Sequence, residues 1–227
     1  YDFVKIKLNS LSKIIKVLKE NEINKILMAG YVKRPSIKDI NFDLSTIKLI
    51  KNYALDSKGD DKLLKAISIF FENNGFKVFD WKKNCKDLFI SEDLLTRVKP
   101  SKAALLNKSK GLEIFNIIGK ADISQSMIIQ NKIVLGLEAA EGTDELILRC
   151  AKYKKKGDKG ILLKLSKYKQ DSNLDIPVIG LDTVINLKKN NFEGIFLEKN
   201  KCIIIDKNEV IKYSNQNNIF IASVKKK

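Results

Sequence analysis

The stretch VLGLEAAEGTDELILR, residues 134 to 149, runs an apolar strand straight into acids, a glycine and a Thr-Asp pair. Glu138, Glu141 and Asp144 gather three carboxylates where the apolar spacing changes from alternation to a helical period. Carboxylates cost free energy wherever they can be neither solvated nor paired. A strand end that meets a helix start is where α/β proteins present ligand-binding groups. It is equally where the helix dipole stabilises an acid, so the cluster reads either as a site or as a charged cap. Two further stretches share this character: MAGYVKRPS at 28 to 36 and LLKLSKYKQDSNLDIPVIGLDTV at 162 to 184. Carboxylates beside lysines near strand ends suit a divalent metal holding a phosphate ester. Taken singly, each would read as an ordinary charged loop.

The chain contains no histidine. That removes Ser-His and Cys-His nucleophile pairs, histidine general bases and the usual zinc ligand sets together. Chemistry must then run on carboxylates, lysines, hydroxyls or a hard, oxygen-bound cation such as Mg²⁺. Cys85, Cys150 and Cys202 are odd in number, far apart and outside any C-x-x-C pair, and read as packing residues. The net charge of +16 is almost all lysine, since arginine occurs only at Arg34, Arg97 and Arg149. Without guanidinium forks or interleaved aromatics the charge argues against nucleic-acid recognition, though it attracts phosphates and anionic headgroups. No apolar run approaches the roughly 18 residues of a membrane span and no N-terminal signal pattern is visible, which predicts a cytoplasmic protein.

Several elements must position these groups. A helix is predicted from about Ser10, with Leu11, Ile14, Ile15 and Leu18 on one face, followed by the strand KILMAG. GDDKLLKAISIFFENNGFKVFD reads as a helix, a stop at Gly75 and a strand, the rhythm of a parallel sheet. The polar stretch EDLLTRVKPSKAALLNKSKG supplies a domain boundary, placed after Arg97, and LEIFNIIGK beyond it is helical. ISQSMIIQ and IVLGLE read as strands around an Asn131-Lys132 turn, and TDELILRCAKYKK as a helix capped by Thr143. GILLKLS, GIFLEKN, CIIID and IFIASV complete a mixed α/β pattern with a short helix near 208 to 216.

GYVKRPS at 30 to 36, GDDKLL at 59 to 64, the Gln125 strand, EAAEGTDELILR at 138 to 149, KYKQDSNLDIP at 167 to 177 and GLDTV at 180 to 184 occur in one order. In that order they resemble the UDP-2,3-diacylglucosamine pyrophosphatases of the LpxI type, which act in lipid A synthesis. The resemblance covers nearly the whole chain. It departs at Ser124-Gln125, where the family usually carries Gly-Gln. It also departs at the start, where the family's glycine-rich βα unit is missing, so the N-terminal domain reads as truncated.

The resemblance implies two domains: a Rossmann-like open sheet over 1–97 and a mixed α/β catalytic domain over 98–227, with the active site in the cleft between them. It implies Mg²⁺-dependent cleavage of a pyrophosphate, releasing UMP and 2,3-diacylglucosamine 1-phosphate. Asp171 and Asp175, in the loop ended by Pro177, are the implied metal ligands and catalytic acids, with Glu141 and Asp144 as further catalytic candidates. Substrate would meet Lys33, Arg34, Gln125, Thr143, Lys164, Lys167 and Gln170. The implied partner is a lipid-linked nucleotide sugar, reached from the inner face of the inner membrane by a peripheral protein, with a homo-oligomer left open. The alternative is a nucleotide-sugar or polyanion binding module without hydrolytic activity.

Overall fold

The computed structural model describes residues 3–6, 11–28, 60–119, 123–166 and 176–226. The chain divides into two compact units, passing from one to the other between Asn84 and Cys85. Both are mixed α/β.

In the first unit, helix α1 (Leu11–Glu20) buries Leu11 against Ala66, Ile67 and Phe70 of helix α2 (Asp60–Asn73). The three-and-four spacing of the α1 apolar residues makes this single face. Helix α2 ends where Gly75 takes φ +89°, and the Phe76 amide returns to the Phe71 carbonyl at 3.1 Å. Such a reversal needs a residue free of the left-handed penalty. Strand β1 (Lys25–Ile26) and strand β2 (Lys77–Val78) then pair in parallel, as the helix-stop-strand pattern predicts.

The second unit holds a five-stranded sheet made of β3 (Ser126–Gln130), β4 (Ile133–Leu137), β5 (Ile161–Lys164), β7 (Gly194–Glu198) and β9 (Phe220–Val224). Its order is β4-β3-β5-β7-β9. The β4, β3 and β5 neighbours are antiparallel, whereas β5, β7 and β9 run parallel. The hairpin β3–β4 turns on Asn131 and Lys132, both at positive φ, which matches strand twist. The parallel strands are linked through helices α5 (Leu181–Lys189) and α6 (Lys207–Gln216). A small parallel pair, β6 (Val178–Ile179) and β8 (Ile203–Ile204), lies beside them.

Alternation along β5 divides the core. Leu162 packs with Ile195, Leu197, Val184, Val210 and with Leu146, Ile147 and Cys150 of helix α4 (Thr143–Ala151). Ile161, Leu163 and Leu165 face the other way, towards Ala104 and Phe115 of helix α3 (Lys102–Ile118). The result is a sheet between α3 on one face and α4, α5 and α6 on the other. Each fully buried Leu or Ile contributes roughly 1.5–3 kcal/mol, so this double-sided burial dominates the unit's stability.

Helix α3 begins inside the stretch expected to be a polar linker. Ser101 starts it, accepting a hydrogen bond from the Ala104 amide at 3.1 Å. The helix hides its apolar signal because its buried face includes Asn107 and Gly111. Residues 85–97, placed before the domain boundary by the sequence reading, are bonded to the second unit. The Ile90 amide reaches Cys202 O at 3.2 Å and the Leu95 amide reaches Ile221 O at 2.9 Å. Thr96 Oγ1 accepts from the Ile221 amide at 3.0 Å.

Gly194 begins β7 directly against Phe220, and a Cβ there would overlap the Phe220 carbonyl oxygen and ring. Backbone cannot swing aside as a side-chain end can. Gly194→Ala is therefore expected to destabilise the second unit by about 1–3 kcal/mol. Chemical denaturation would show this as a lower midpoint at unchanged slope.

Candidate functional site

The antiparallel register brings three distant residues into one row. Ser126 pairs with Lys164 across β3 and β5, and the Glu138 amide donates to the Ser126 carbonyl at 2.9 Å. Glu138, Ser126 and Lys164 thus stand side by side at the edge of the sheet where β5 and β7 end. This is the edge at which α/β sheets present their ligand-binding groups.

Above the row sits the start of α4. Gly136 lets that helix approach, since a Cβ there would stand 2.6 Å from Cys150 Sγ. Thr143 was expected to cap the helix; it is the first helical residue instead. Gly142, at φ +86°, occupies the cap position and offers no side-chain bond. The Thr143 hydroxyl is engaged elsewhere: Oγ1 donates to Glu138 Oε1 at 3.0 Å and accepts from Lys164 Nζ at 2.5 Å. Lys164 Nζ also donates to Ser126 Oγ at 3.2 Å and lies 3.6 Å from Glu138 Oε2. The side chains of Lys164 and Glu138 are only 5% and 15% exposed. Two charges this deep persist because they face each other and their hydroxyl neighbours.

Among the described residues, two buried carboxylate oxygens remain without a hydrogen bond. Glu138 Oε2 and Asp144 Oδ1 are buried and accept no hydrogen bond. Asp144 lies in the first turn of α4, where the dipole favours its charge. Glu141 is different, because both its oxygens are occupied. Arg149 donates to Oε1 at 2.6 Å and the Ala139 amide to Oε2 at 3.0 Å, while Arg149 also binds Leu137 O at 3.0 Å. Burial opposes ionisation of Glu141, but the Arg149 and backbone bonds together outweigh it and hold the carboxyl below its ordinary value. Glu141 thus clasps the turn 138–142 onto the helix.

The exit of β5 is fixed as firmly. Glu198 Oε2 accepts from both the Ser166 amide and Ser166 Oγ at 2.8 Å. Ser124 is buried, its hydroxyl donating to Ser126 O at 2.7 Å. The Gln125 carbonyl accepts from the Leu165 amide at 2.8 Å. Lys33, Arg34, Lys167, Gln170, Asp171 and Asp175 lie outside the described residues. Glu138, expected only as one acid of the 138–144 cluster, and Ser126, not singled out, are central to the arrangement. The sequence signal was the acid at the end of an apolar strand, but only the cross-strand register joins it to Ser126 and Lys164.

The donors are all hard oxygens. Burial pushes the Cys202 thiol up to about 12 and raises Cys150 as well, so neither offers a thiolate. Among the described residues no three acids or cysteines stand close enough to enclose a metal ion. The unsatisfied oxygens of Glu138 and Asp144 match the chemistry of Mg²⁺, but a full ligand set would have to draw on residues beyond them.

Family models decide the affiliation. The model for the LpxI C-terminal domain matches residues 91–222, and that for the LpxI N-terminal domain matches residues 1–88. The chain belongs to the LpxI family. Among its relatives is the UDP-2,3-diacylglucosamine pyrophosphatase LpxI of Caulobacter vibrioides, 26% identical over 231 residues, spanning 99% of this chain and 82% of that protein. With this affiliation the chain is an enzyme of the hydrolase class. The N-terminal match shows that the chain carries residues of both of the family's domains. The Glu138–Ser126–Lys164 row falls within the C-terminal match.

Because Glu141 titrates below its ordinary 4.5 when folded, its contribution to stability is fully present above that value. It is lost as pH falls through the lower, folded value. Arg149→Met removes the main partner, so the folded pKa of Glu141 should rise and the acid loss of stability linked to it should shrink. Denaturation midpoints measured across the acid range, with the Glu141 carboxyl followed by NMR, would show the shift; an unmoved Glu141 titration would refute the clasp.

Proposed function

We propose that the chain hydrolyses the pyrophosphate bond of UDP-2,3-diacylglucosamine, giving UMP and 2,3-diacylglucosamine 1-phosphate, in lipid A synthesis. The observation that carries this reading is the buried ionic row at the carboxyl edge of the sheet, inside the domain shared with the Caulobacter enzyme. A hydrolase without histidine must place its charges through carboxylates and ammonium groups, and here they are placed before substrate arrives.

The residues divide the work. Asp171 and Asp175 follow the fixed exit at Ser166 and supply the acids of the hydrolytic step. Lys167 offsets the charge of the diphosphate, and Gln170 and Gln125 orient it. The first-turn amides of α4, left without a side-chain cap, suit a phosphate oxygen. Lys33 and Arg34 supply further cationic charge for the diphosphate. Mg²⁺, held by Asp171 and Asp175, would neutralise phosphate charge and lower the pKa of a bound water.

No helix among the described residues is long and apolar enough to cross a membrane. Attachment to the cytoplasmic leaflet would then be peripheral, through the lysine excess. Co-sedimentation with anionic vesicles should fall steeply with added salt; binding indifferent to both lipid charge and salt would refute it.

Asp171→Ala and Asp175→Ala should each lower kcat for UMP release by about a hundredfold or more, with substrate binding largely kept. Binding survives because acyl burial and uridine contacts supply most of the affinity. A folded double variant releasing UMP at the parental rate would remove both residues from the mechanism. A parent chain that binds the nucleotide sugar without cleaving it, with or without Mg²⁺, would make it a binding module.

A further inference from the structure

The sequence places Lys164 among the substrate-binding groups; the structure turns its ammonium inward. Two of its hydrogen-bond partners are Thr143 Oγ1 and Ser126 Oγ, and its counter-charge is Glu138. The single proton of Thr143 is committed to Glu138 Oε1. Thr143 therefore cannot donate to a substrate without giving up an internal bond, and Lys164 spends two of its three N–H groups inside the protein.

Such a pair is hard to justify by stability alone. Taking two charges out of water often costs as much as their attraction returns, and a well-packed apolar pair of equal volume would serve the fold as well. The layer around it is otherwise apolar, with Ile128, Leu146, Leu162 and Leu197 wholly buried. What the pair does hold is the strand-to-helix turn. Glu138 opens the turn 138–142 and Thr143 closes it, and the Lys164 ammonium ties both to β5. The Glu141–Arg149 clasp secures the same turn from its other side.

We propose that Glu138 and Lys164 are positioning residues for the hydrolytic step, acting only through the turn and helix start that they fix. This rests on the hydrolase reading above. The pair is neutral in sum, so it adds little net attraction for a polyanionic ground state. Its effect falls on geometry, where a displacement on the order of 1 Å costs about a hundredfold in rate.

The experiment compares the full chain with Lys164→Met and with Glu138→Gln/Lys164→Met, reading thermal midpoint, kcat and KM on UDP-2,3-diacylglucosamine. The single variant leaves a buried carboxylate without its counter-ion and should lose stability, while the neutral double variant regains the parental midpoint. In that double variant kcat should fall about a hundredfold with KM within about threefold of the parent. Parental kcat in the folded double variant would show that the pair is only packing, and a raised KM at unchanged kcat would show direct substrate contact; either overturns the inference. Thr143→Val, which keeps both charges and removes the bridging hydroxyl, gives a second measurement should the double variant not fold. It too should lower kcat and spare KM, and parental kcat there would equally overturn the inference. A parent chain with no turnover defeats the hydrolase reading itself, which is a different result from an active parent matched by its double variant.

Discussion

An ammonium group inside an apolar layer must find its partners within the protein, and around Lys164 that requirement fixes three other elements. Lys164 ends β5, whose preceding residues Ile161, Leu162 and Leu163 are fully buried. Water is therefore no substitute for Ser126, Thr143 and Glu138. Ser126 is available only in the observed register of β3 on β5, and Glu138 only if β4 returns alongside β3. A slip of one residue would send these side chains to the α3 face of the sheet. Thr143 is available only because Gly136 admits α4 to close contact. One buried charge thus couples a hairpin register, a glycine and a helix position.

The same constraint shapes the chemistry. With no imidazole and with buried thiols held protonated, the buried polar groups among the described residues of the second unit are carboxylates, hydroxyls, the carboxamides of Asn107 and Gln130 and the Lys164 ammonium. Such a set does not offer a base poised near neutrality, but it does offer fixed charge. Preorganised charge in a water-poor site is worth more than the same charge in solvent, because nothing must reorient as the reaction proceeds. The demand falls on the scaffold to hold the charges still. Glu198 on Ser166, Arg149 on Glu141 and Lys164 on Glu138 each tie a loop-borne group to a strand or helix.

Much of this was legible from local pattern, and the exceptions share one cause. The α1 face, the stop at Gly75 and the Asn131-Lys132 hairpin each depend on residues within a few positions of one another, and the sequence reading finds them. The cap of α4 was misassigned because Thr143 has the right chemistry for a cap, while the competitor for its hydroxyl, Lys164, lies 21 residues away. The start of α3 was missed because Asn107 is buried for its bonds to Lys132 and Asp158, which makes an inward position look like an outward one. Glu138 was read only as one acid of a cluster, and Ser126 was not singled out, for one reason: their partners come from sheet register, which no local window contains. Glu141 shows the converse, an acid of the right type in the right stretch whose oxygens are consumed by Arg149 and the Ala139 amide.

The segment that carries Asp171 and Asp175 begins and ends at anchored points. Before it, Ser166 is bound through its amide and hydroxyl by Glu198, and its carbonyl accepts from Lys226 Nζ at 3.1 Å. After it, the Pro177 carbonyl accepts from the Ile203 amide at 2.9 Å, and β6 follows at once in parallel pairing with β8. The conformational entropy of a chain segment depends on how freely its ends can separate, so fixing both ends lowers the cost of ordering whatever lies between. The buried row at Lys164 and the anchor at Ser166 are two residues apart on the same strand exit, so a disturbance of one reaches the other through Leu165, which is itself buried. A strand exit held this firmly gives the segment that follows it a fixed starting point.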